Sequence, residues 1–439
     1  MLFKFLRRKN MKILTLFAGL FMTFASQGIY ADELNSGDTS WILTSTALVL
    51  LMTLPGLALF YGGLVRTKNV LSVLMQCFAI ACIVSVLWVI YGYSLSFYGD
   101  GNFFGNGDAL FLGNIGRDAL SGYATTTPES LFVIFQMTFA IITPALVVGA
   151  FAERMKFPAM CLFSALWLTL VYIPACHMVW GGGLLADWGV VDLAGGLVVH
   201  ATCGVAALVM AMVLGPRKDF PGPSLVPHNR PMVVMGAAFL WVGWFGFNAG
   251  SAWTAGTDAG MAMLVTHISA AVGALTWMTA EWIKTGKPTV VGIATGMVAG
   301  LATITPASGT VGPQGALLIG FLAGLVCFYA TQFIKGVLKI DDSLDVFPVH
   351  GVGGIMGILL LSFLGTKGIL GVGANGDFDP MTQFIIQLKG VGVIVLWTVV
   401  FTWIAIKATS LITSLRLSDE DESEGLDLIE HNETGYHTS

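Results

Sequence analysis

Long apolar runs separated by short polar breaks make up most of this chain. Beyond residue 32, eleven runs are long enough to cross a hydrocarbon layer of ~30 Å as helices. They lie near 41–64, 70–96, 130–151, 157–180, 191–214, 232–253, 259–282, 289–305, 314–335, 346–364 and 383–412. Some are broken by Gly or Pro, which a membrane helix tolerates when its neighbours re-satisfy the freed backbone groups. The largest polar segments are a loop near 97–128 and the stretch from Ser418 onward. The pattern predicts an all-α polytopic membrane protein with one membrane domain, residues 32–416, and a tail, residues 417–439.

Residues 1–31 have the form of a signal peptide: Lys12 precedes the apolar run Ile13 to Ala25, and small residues follow at Ser26, Gly28 and Ala31. Met11 is a candidate true start, which would make residues 1–10 an upstream extension. A retained twelfth span is the alternative.

Basic residues fall on one side of the predicted spans. Arg66, Lys68, Arg154, Lys156, Arg217, Lys218, Arg230, Lys284, Lys287, Lys335, Lys339 and Arg416 share that side, and only Arg117 and Lys367 lie in loops on the other. The mature N-terminus is therefore expected outside and the C-terminus in the cytoplasm, consistent with an odd number of spans. A signal peptide with this basic pattern suits the inner (cytoplasmic) membrane of a Gram-negative bacterium.

Composition agrees with the pattern: 55% of residues are hydrophobic and 11% charged, and the mean hydropathy is +0.80. The net charge of −5 gives nucleic acid no basic surface, and the acidic run Asp419 to Glu424 points to a solvated or partner-binding tail. All six cysteines fall in predicted spans without CxxC spacing, so neither disulfides nor a zinc centre is expected.

The candidate chemistry lies in two histidines inside apolar, glycine-rich stretches. An ionisable side chain at membrane depth is costly and marks a functional site by default. His200 and His350 each stand in the pattern Val-His-x-x-x-Gly, 150 residues apart, in the fifth and tenth spans. A repeat of five spans puts equivalent residues there, and because five is odd the second half must be inverted. The fold expected is a five-plus-five inverted repeat with an additional C-terminal helix, and both histidines near mid-bilayer. His177 and His267 have no repeat partner and are read as packing or interface residues.

Several segments together resemble the ammonium transporter family (Amt/Mep/Rh), of bacterial Amt type. They are Asp192-Leu-Ala-Gly-Gly-Leu-Val-Val-His200, Gly243-Trp-Phe-Gly-Phe-Asn-Ala-Gly-Ser251 and Asp345-Val-Phe-Pro-Val-His-Gly-Val-Gly-Gly354. Phe135-Gln-Met-Thr-Phe139, Gly149-Ala-Phe-Ala-Glu-Arg154, Ile173 to Gly183 and Glu424-Gly-Leu-Asp-Leu428 extend the match. Leu193 and Leu197 depart from it: the family usually has an aromatic residue at the first and often Thr or Ser at the second.

The resemblance implies a homotrimer with one narrow pore per subunit, passing ammonium or its analogue methylammonium without a cofactor. Trp180, Phe139 and Ser251 would form an outer recruitment site, with Asp192 supporting it. Phe139 and Phe247 would gate the pore, His200 and His350 would line it, and Phe135 and Trp244 are further pore-mouth candidates. The tail resembles the segment through which such transporters contact PII-type signalling proteins. Two other readings stay open. One is an ammonium sensor acting through a PII-type partner; the other is a cytochrome whose two histidines ligate a haem.

Overall fold

The computed structural model describes residues 33–222, 225–370 and 372–436, so the segment read as a signal peptide lies outside the described residues. Among the described residues ten helices are long and apolar enough to cross a membrane: α1 (Ser36–Leu64), α2 (Thr67–Phe97), α3 (Glu129–Phe151), α4 (Phe157–Asp187), α5 (Gly196–Leu214), α6 (Arg230–Gly250), α7 (Thr257–Thr285), α9 (Pro313–Val337), α10 (Phe347–Leu364) and α11 (Pro380–Ile412). A shorter apolar helix, α8 (Val290–Ile304), completes the eleven. Its 15 residues rise ~22 Å, and a run of turns carries the chain on past Pro306. The protein is an all-α multi-pass membrane protein, as the hydropathy pattern predicts.

Local sequence explains the irregular spans. Pro55 breaks α1, where a wide π-type turn over Met52–Leu57 leaves Leu54 at φ −121° and ψ 77°. The two spans carrying the histidine motifs also open with π-type turns, Gly196–Ala201 in α5 and Phe347–Val352 in α10. Both turns are buried, the first throughout and the second from Pro348 to Gly351, and such turns are frequent at functional sites.

Burial ranks the helices. In α3, 94% of the most apolar window is enclosed by the rest of the protein, whereas in α11 only 22% is. The last helix therefore lies outside the ten that form the repeat, with Leu396, Trp403 and Leu411 exposed on its outer face.

Glycine lets the halves meet. A Cβ on Gly204 would overlap the backbone nitrogen and Cα of Gly351, and one on Gly354 would sit 2.7 Å from the Cβ of His200. Each motif's final glycine thus rests on the other motif at or beside its histidine, a reciprocal packing expected of a pseudo-two-fold axis. We expect Gly204→Ala to force α5 and α10 apart and destabilise the protein by about 1–3 kcal/mol. Thermal melting in detergent checks this, and an unchanged midpoint would show that the close approach is dispensable.

The face carrying the basic loops is fastened by buried charge. Arg217 bonds Glu153 at 2.6 Å and Asp341 at 2.8 Å, and Arg66 reaches Glu153 at 3.0 Å. Burial pushes the Asp341 carboxyl up, but the bonds and charge of Arg217 outweigh it and hold the group below the usual carboxylate range.

The tail folds back onto the same face as two short helices, α12 (Asp419–Glu424) and α13 (Leu426–His431). Asp427 accepts from the backbone of Leu71 and Ser72 at 3.0 and 2.8 Å, near the start of α2, and Glu430 accepts from Phe157 N at 3.1 Å, at the start of α4. Carboxylates at helix N-termini satisfy orphan donors and complement the helix dipole. The acidic run Asp419 to Glu424, expected to be solvated or partner-binding, is mostly exposed, and the segment that follows it is docked.

Candidate functional site

The site begins with the way α5 and α10 start. Asp192 accepts from Gly195 N and Gly196 N through Oδ1 (2.9 and 2.6 Å), and from Leu197 N and Val198 N through Oδ2 (2.7 and 3.4 Å). Such a cluster of donors needs a sharp turn, and Gly195 supplies it at φ 111°. At the other end of the molecule, Asp342 accepts from Phe347 N at 2.7 Å. The two aspartates, the backbone donors they share in common (Leu197 N and Phe347 N) and the two histidines are all 150 residues apart. Asp342 is therefore the repeat counterpart of Asp192, one at each face. Burial, with the charge of Asp345 beside it, pushes the Asp342 carboxyl up to about 7.

Between these caps the histidine rings come together. His200 and His350 lie 3.2 Å apart at their Nδ1 atoms, with ring centroids 5.2 Å apart and planes 27° from parallel. A bond between two Nδ1 atoms requires one to donate and the other to accept. The donating imidazole then has an acceptor Nε2 and its partner an Nε2–H donor, so the pair offers both roles at once. The space beside them is about 10 Å³, roughly enough for one water-sized molecule. An iron held by two axial imidazoles would need its nitrogens about 4 Å apart with a macrocycle between them. The haem reading is therefore rejected on geometry.

Toward the face bearing the polar loop, two phenylalanines close the passage. Phe139 and Phe247 stack with centroids 4.2 Å apart and planes 29° from parallel. Phe247 also lies over His200, at 6.0 Å. Outside the stack opens a vestibule of about 230 Å³, whose walls include Trp180, Ser251, Gln136, Leu193 and Tyr123. The Trp180 indole meets Phe139 edge-on at 5.9 Å and donates to the Asp192 carbonyl at 2.8 Å. Asp192 thus sets both the start of α5 and the orientation of the vestibule's tryptophan.

The polar groups of the vestibule accept hydrogen bonds. Ser251 donates its hydroxyl hydrogen to Phe247 O at 2.8 Å, which leaves its oxygen lone pairs free. The Gln136 Oε1 is buried without a hydrogen-bond partner. Aromatic faces with free acceptors suit a small cation that donates hydrogen bonds.

On the opposite side of the histidines, Phe60 borders both their cavity and a basic-face vestibule of about 370 Å³. Arg217, Lys335 and Asp345 stand in its wall. Lys335 pairs with Asp345 at 2.7 Å, so the wall is not a simple cationic ring. The passage is wide, then narrow, then wide.

Most residues singled out from the sequence converge on this line, and two take other places. Trp244, a pore-mouth candidate, lies beside the histidine pair instead: it stacks on His200 at 5.5 Å and donates to Thr305 Oγ1 at 2.8 Å. It is one helical turn below Phe247 on α6, which carries it past the stack. Phe135 backs Phe139, at 5.1 Å and 61°, and the vestibule wall is built from Phe132 and Gln136 beside it. Leu193, one of the two departures, is in that wall. His177 sits against the carbonyls of Ser96 and Gly101, and His267 packs on Trp241, both in packing roles.

Sequence reasoning assigns no role to two residues found here. Gln136 stands inside the Phe135–Phe139 motif, and only its unpartnered buried oxygen distinguishes it. Cys203, which has no CxxC partner, lies beside the histidine pair. Its sulfur and one ring nitrogen from each histidine all lie within 4.8 Å of one another.

The described chain matches the family model described as Ammonium Transporter Family over residues 40–436. It is 45% identical to an ammonium transporter of Bacillus subtilis over 404 residues, 92% of this chain and 99% of that protein. An ammonium transporter of Archaeoglobus fulgidus is 44% identical over 404 residues, 92% of this chain and 100% of that one. Among solved structures, Candida albicans Mep2 matches with a TM-score of 0.80 and 35% identity, covering 88% of this chain and 87% of that one. A protein described as a sensor Amt protein matches with a TM-score of 0.83 and 29% identity, covering 90% and 98%. With one family model spanning nearly all of its membrane helices, the chain belongs to the ammonium transporter family.

Proposed function

We propose that the protein takes up ammonium selectively, with methylammonium as a slower analogue, through one narrow pore in each subunit of a homotrimer. The observation that carries this is the passage itself. An aromatic vestibule with free acceptors leads through a phenylalanine stack into a space for one water-sized molecule beside two bonded histidines.

Ammonium enters the vestibule from outside and gains about 0.5–2 kcal/mol from each aromatic face, depending on desolvation. Ser251 and Gln136 accept its N–H groups. Beyond the stack a full charge would lose its water without a compensating partner, which costs far more than those contacts return. Losing the proton removes that cost. Ammonia then fits the space beside His200 and His350, donating to one Nε2 and accepting from the other. The released proton is taken by the acceptor Nε2, shifts across the Nδ1–Nδ1 bond and leaves from the partner ring's Nε2–H, so that it too reaches the inside and uptake is electrogenic. Potassium, similar in size, has no proton to release and stops at the stack.

This reading places the polar loop and the first vestibule outside, and the basic loops, α12 and α13 on the cytoplasmic face of the inner membrane. There the tail and the wide vestibule present the surface for a PII-type protein.

Currents from proteoliposomes on a supported membrane test the recruitment step. Trp180→Leu and Gln136→Ala should each raise the half-saturating ammonium concentration about 3–10-fold, the equivalent of roughly 0.6–1.4 kcal/mol of lost binding, with a smaller change in maximal current. Half-saturation equal to the unaltered protein in both variants would remove the vestibule from the mechanism.

A further inference from the structure

Cys203 is the one nucleophilic group at the pore's centre that the transport reading leaves without a task. It lies one turn beyond His200 on α5, fully buried, its thiol donating to His200 O at 3.4 Å. With His200 and His350 it supplies a sulfur and two ring nitrogens within 4.8 Å of one another, and the two Nδ1 atoms are 3.2 Å apart. Bonds of about 2.0–2.4 Å from a d10 metal ion to such ligands need donor atoms roughly 3.3–4.5 Å apart. The set is near that spacing before any movement.

We propose that Cys203, His200 and His350 form a site for a soft monovalent d10 cation, Cu⁺ or Ag⁺, and that occupancy closes the pore. The inference rests on the transport reading for its consequence, though not for the binding itself. Thiolate and imidazole are the donors that select such ions, in contrast to the hard oxygens that hold alkali cations.

The protons balance. The thiol gives up its hydrogen as the metal–sulfur bond forms. The hydrogen shared between the two Nδ1 atoms moves to an Nε2, and His200 Nε2 is buried and unpartnered, so receiving it breaks no hydrogen bond. The proton leaves the thiol for water in the adjoining vestibule as one positive charge enters, so the site's net charge is unchanged. Charge also decides which ions reach it. Dehydration cost grows with the square of the charge, which sets a divalent ion at about four times the cost of a monovalent one of equal size. The aromatic faces of Phe139, Trp180 and Phe247 offer a soft monovalent ion contacts on the way in. At the site it recovers the ligation that potassium cannot.

The space of about 10 Å³ beside the histidines leaves no room for a solute to pass a bound ion. Silver therefore acts as a plug that potassium at the same concentration does not imitate.

The test uses the full-length protein in liposomes, in chloride-free buffer, with silver nitrate as the probe. Ammonium current before silver is added tests transport separately from the metal site. Silver is expected to abolish current in the unaltered protein. In Cys203→Ala, with ammonium current within about twofold of normal, at least tenfold more silver should be required. The pair Cys82→Ala and Cys161→Ala, which removes the two cysteines that are not fully buried, should leave sensitivity unchanged. Equal sensitivity in Cys203→Ala, or protection by the Cys82 and Cys161 replacements instead, overturns the proposal. Should Cys203→Ala fail to fold, silver K-edge absorption of the unaltered protein decides. One sulfur and two nitrogens around the metal support the site, and sulfur-only ligation refutes it.

Discussion

Replacing both pore histidines, as His200→Ala with His350→Ala, is expected to abolish the distinction between ammonium and potassium. In the unaltered protein two rings fill the passage and leave about 10 Å³ beside them. Removing both opens a cavity large enough for several waters, lined by the Trp244 and Phe247 rings that now face nothing. A connected column of water can carry a hydrated ion, so loss of the proton is no longer required for passage. Potassium current, expected to be absent from the unaltered protein, should rise until the two currents are within a few-fold of each other. Currents on a supported membrane after separate ammonium and potassium pulses give the ratio directly. A folded double variant that still carries ammonium at the normal rate and still excludes potassium would end the idea that the pair enforces deprotonation.

The second large effect is expected at Asp192. Its carboxylate accepts four backbone N–H groups and its carbonyl holds the Trp180 indole. Asp192→Ala strands donors that are buried, each at a cost of about 1–3 kcal/mol before water enters to satisfy some of them. We expect a net loss of about 2–4 kcal/mol, and a fall in ammonium current of at least tenfold as the turn relaxes and Trp180 loses its orientation. Asp192→Asn keeps one acceptor but aims an amide donor at other donors, so it should fall between the two. Melting midpoint and current must be read together. A variant that melts early yet transports normally would make Asp192 a helix cap alone.

Asp342 puts this in a wider frame. The same short-range device, a carboxylate accepting at the start of an interrupted helix, stands at both ends of the pore because the halves are inverted copies. The copies are not equal: Asp192 accepts four backbone bonds, while Asp342 accepts at Phe347 and leaves its Oδ1 buried without a partner. That asymmetry matches a passage whose two ends differ, one aromatic and one bordered by charge.

Much of this was legible along the chain. Apolar runs of span length and two histidine motifs of one pattern are local properties, and a bilayer converts them directly into helices and a repeat. The physical reason is that lipid leaves a backbone little choice but the helix, so length and polarity alone decide where spans lie. Contact across helices is different. That Gly204 rests on Gly351, that Trp244 faces His200 rather than the vestibule, that Gln136 keeps an unpartnered oxygen and that Cys203 joins the histidines all depend on which helical faces turn toward each other. Every face of these helices is apolar enough for lipid, so hydropathy assigns no direction to any of them. Only the packing of eleven helices, set by glycine contacts and kinks, chose the faces that meet.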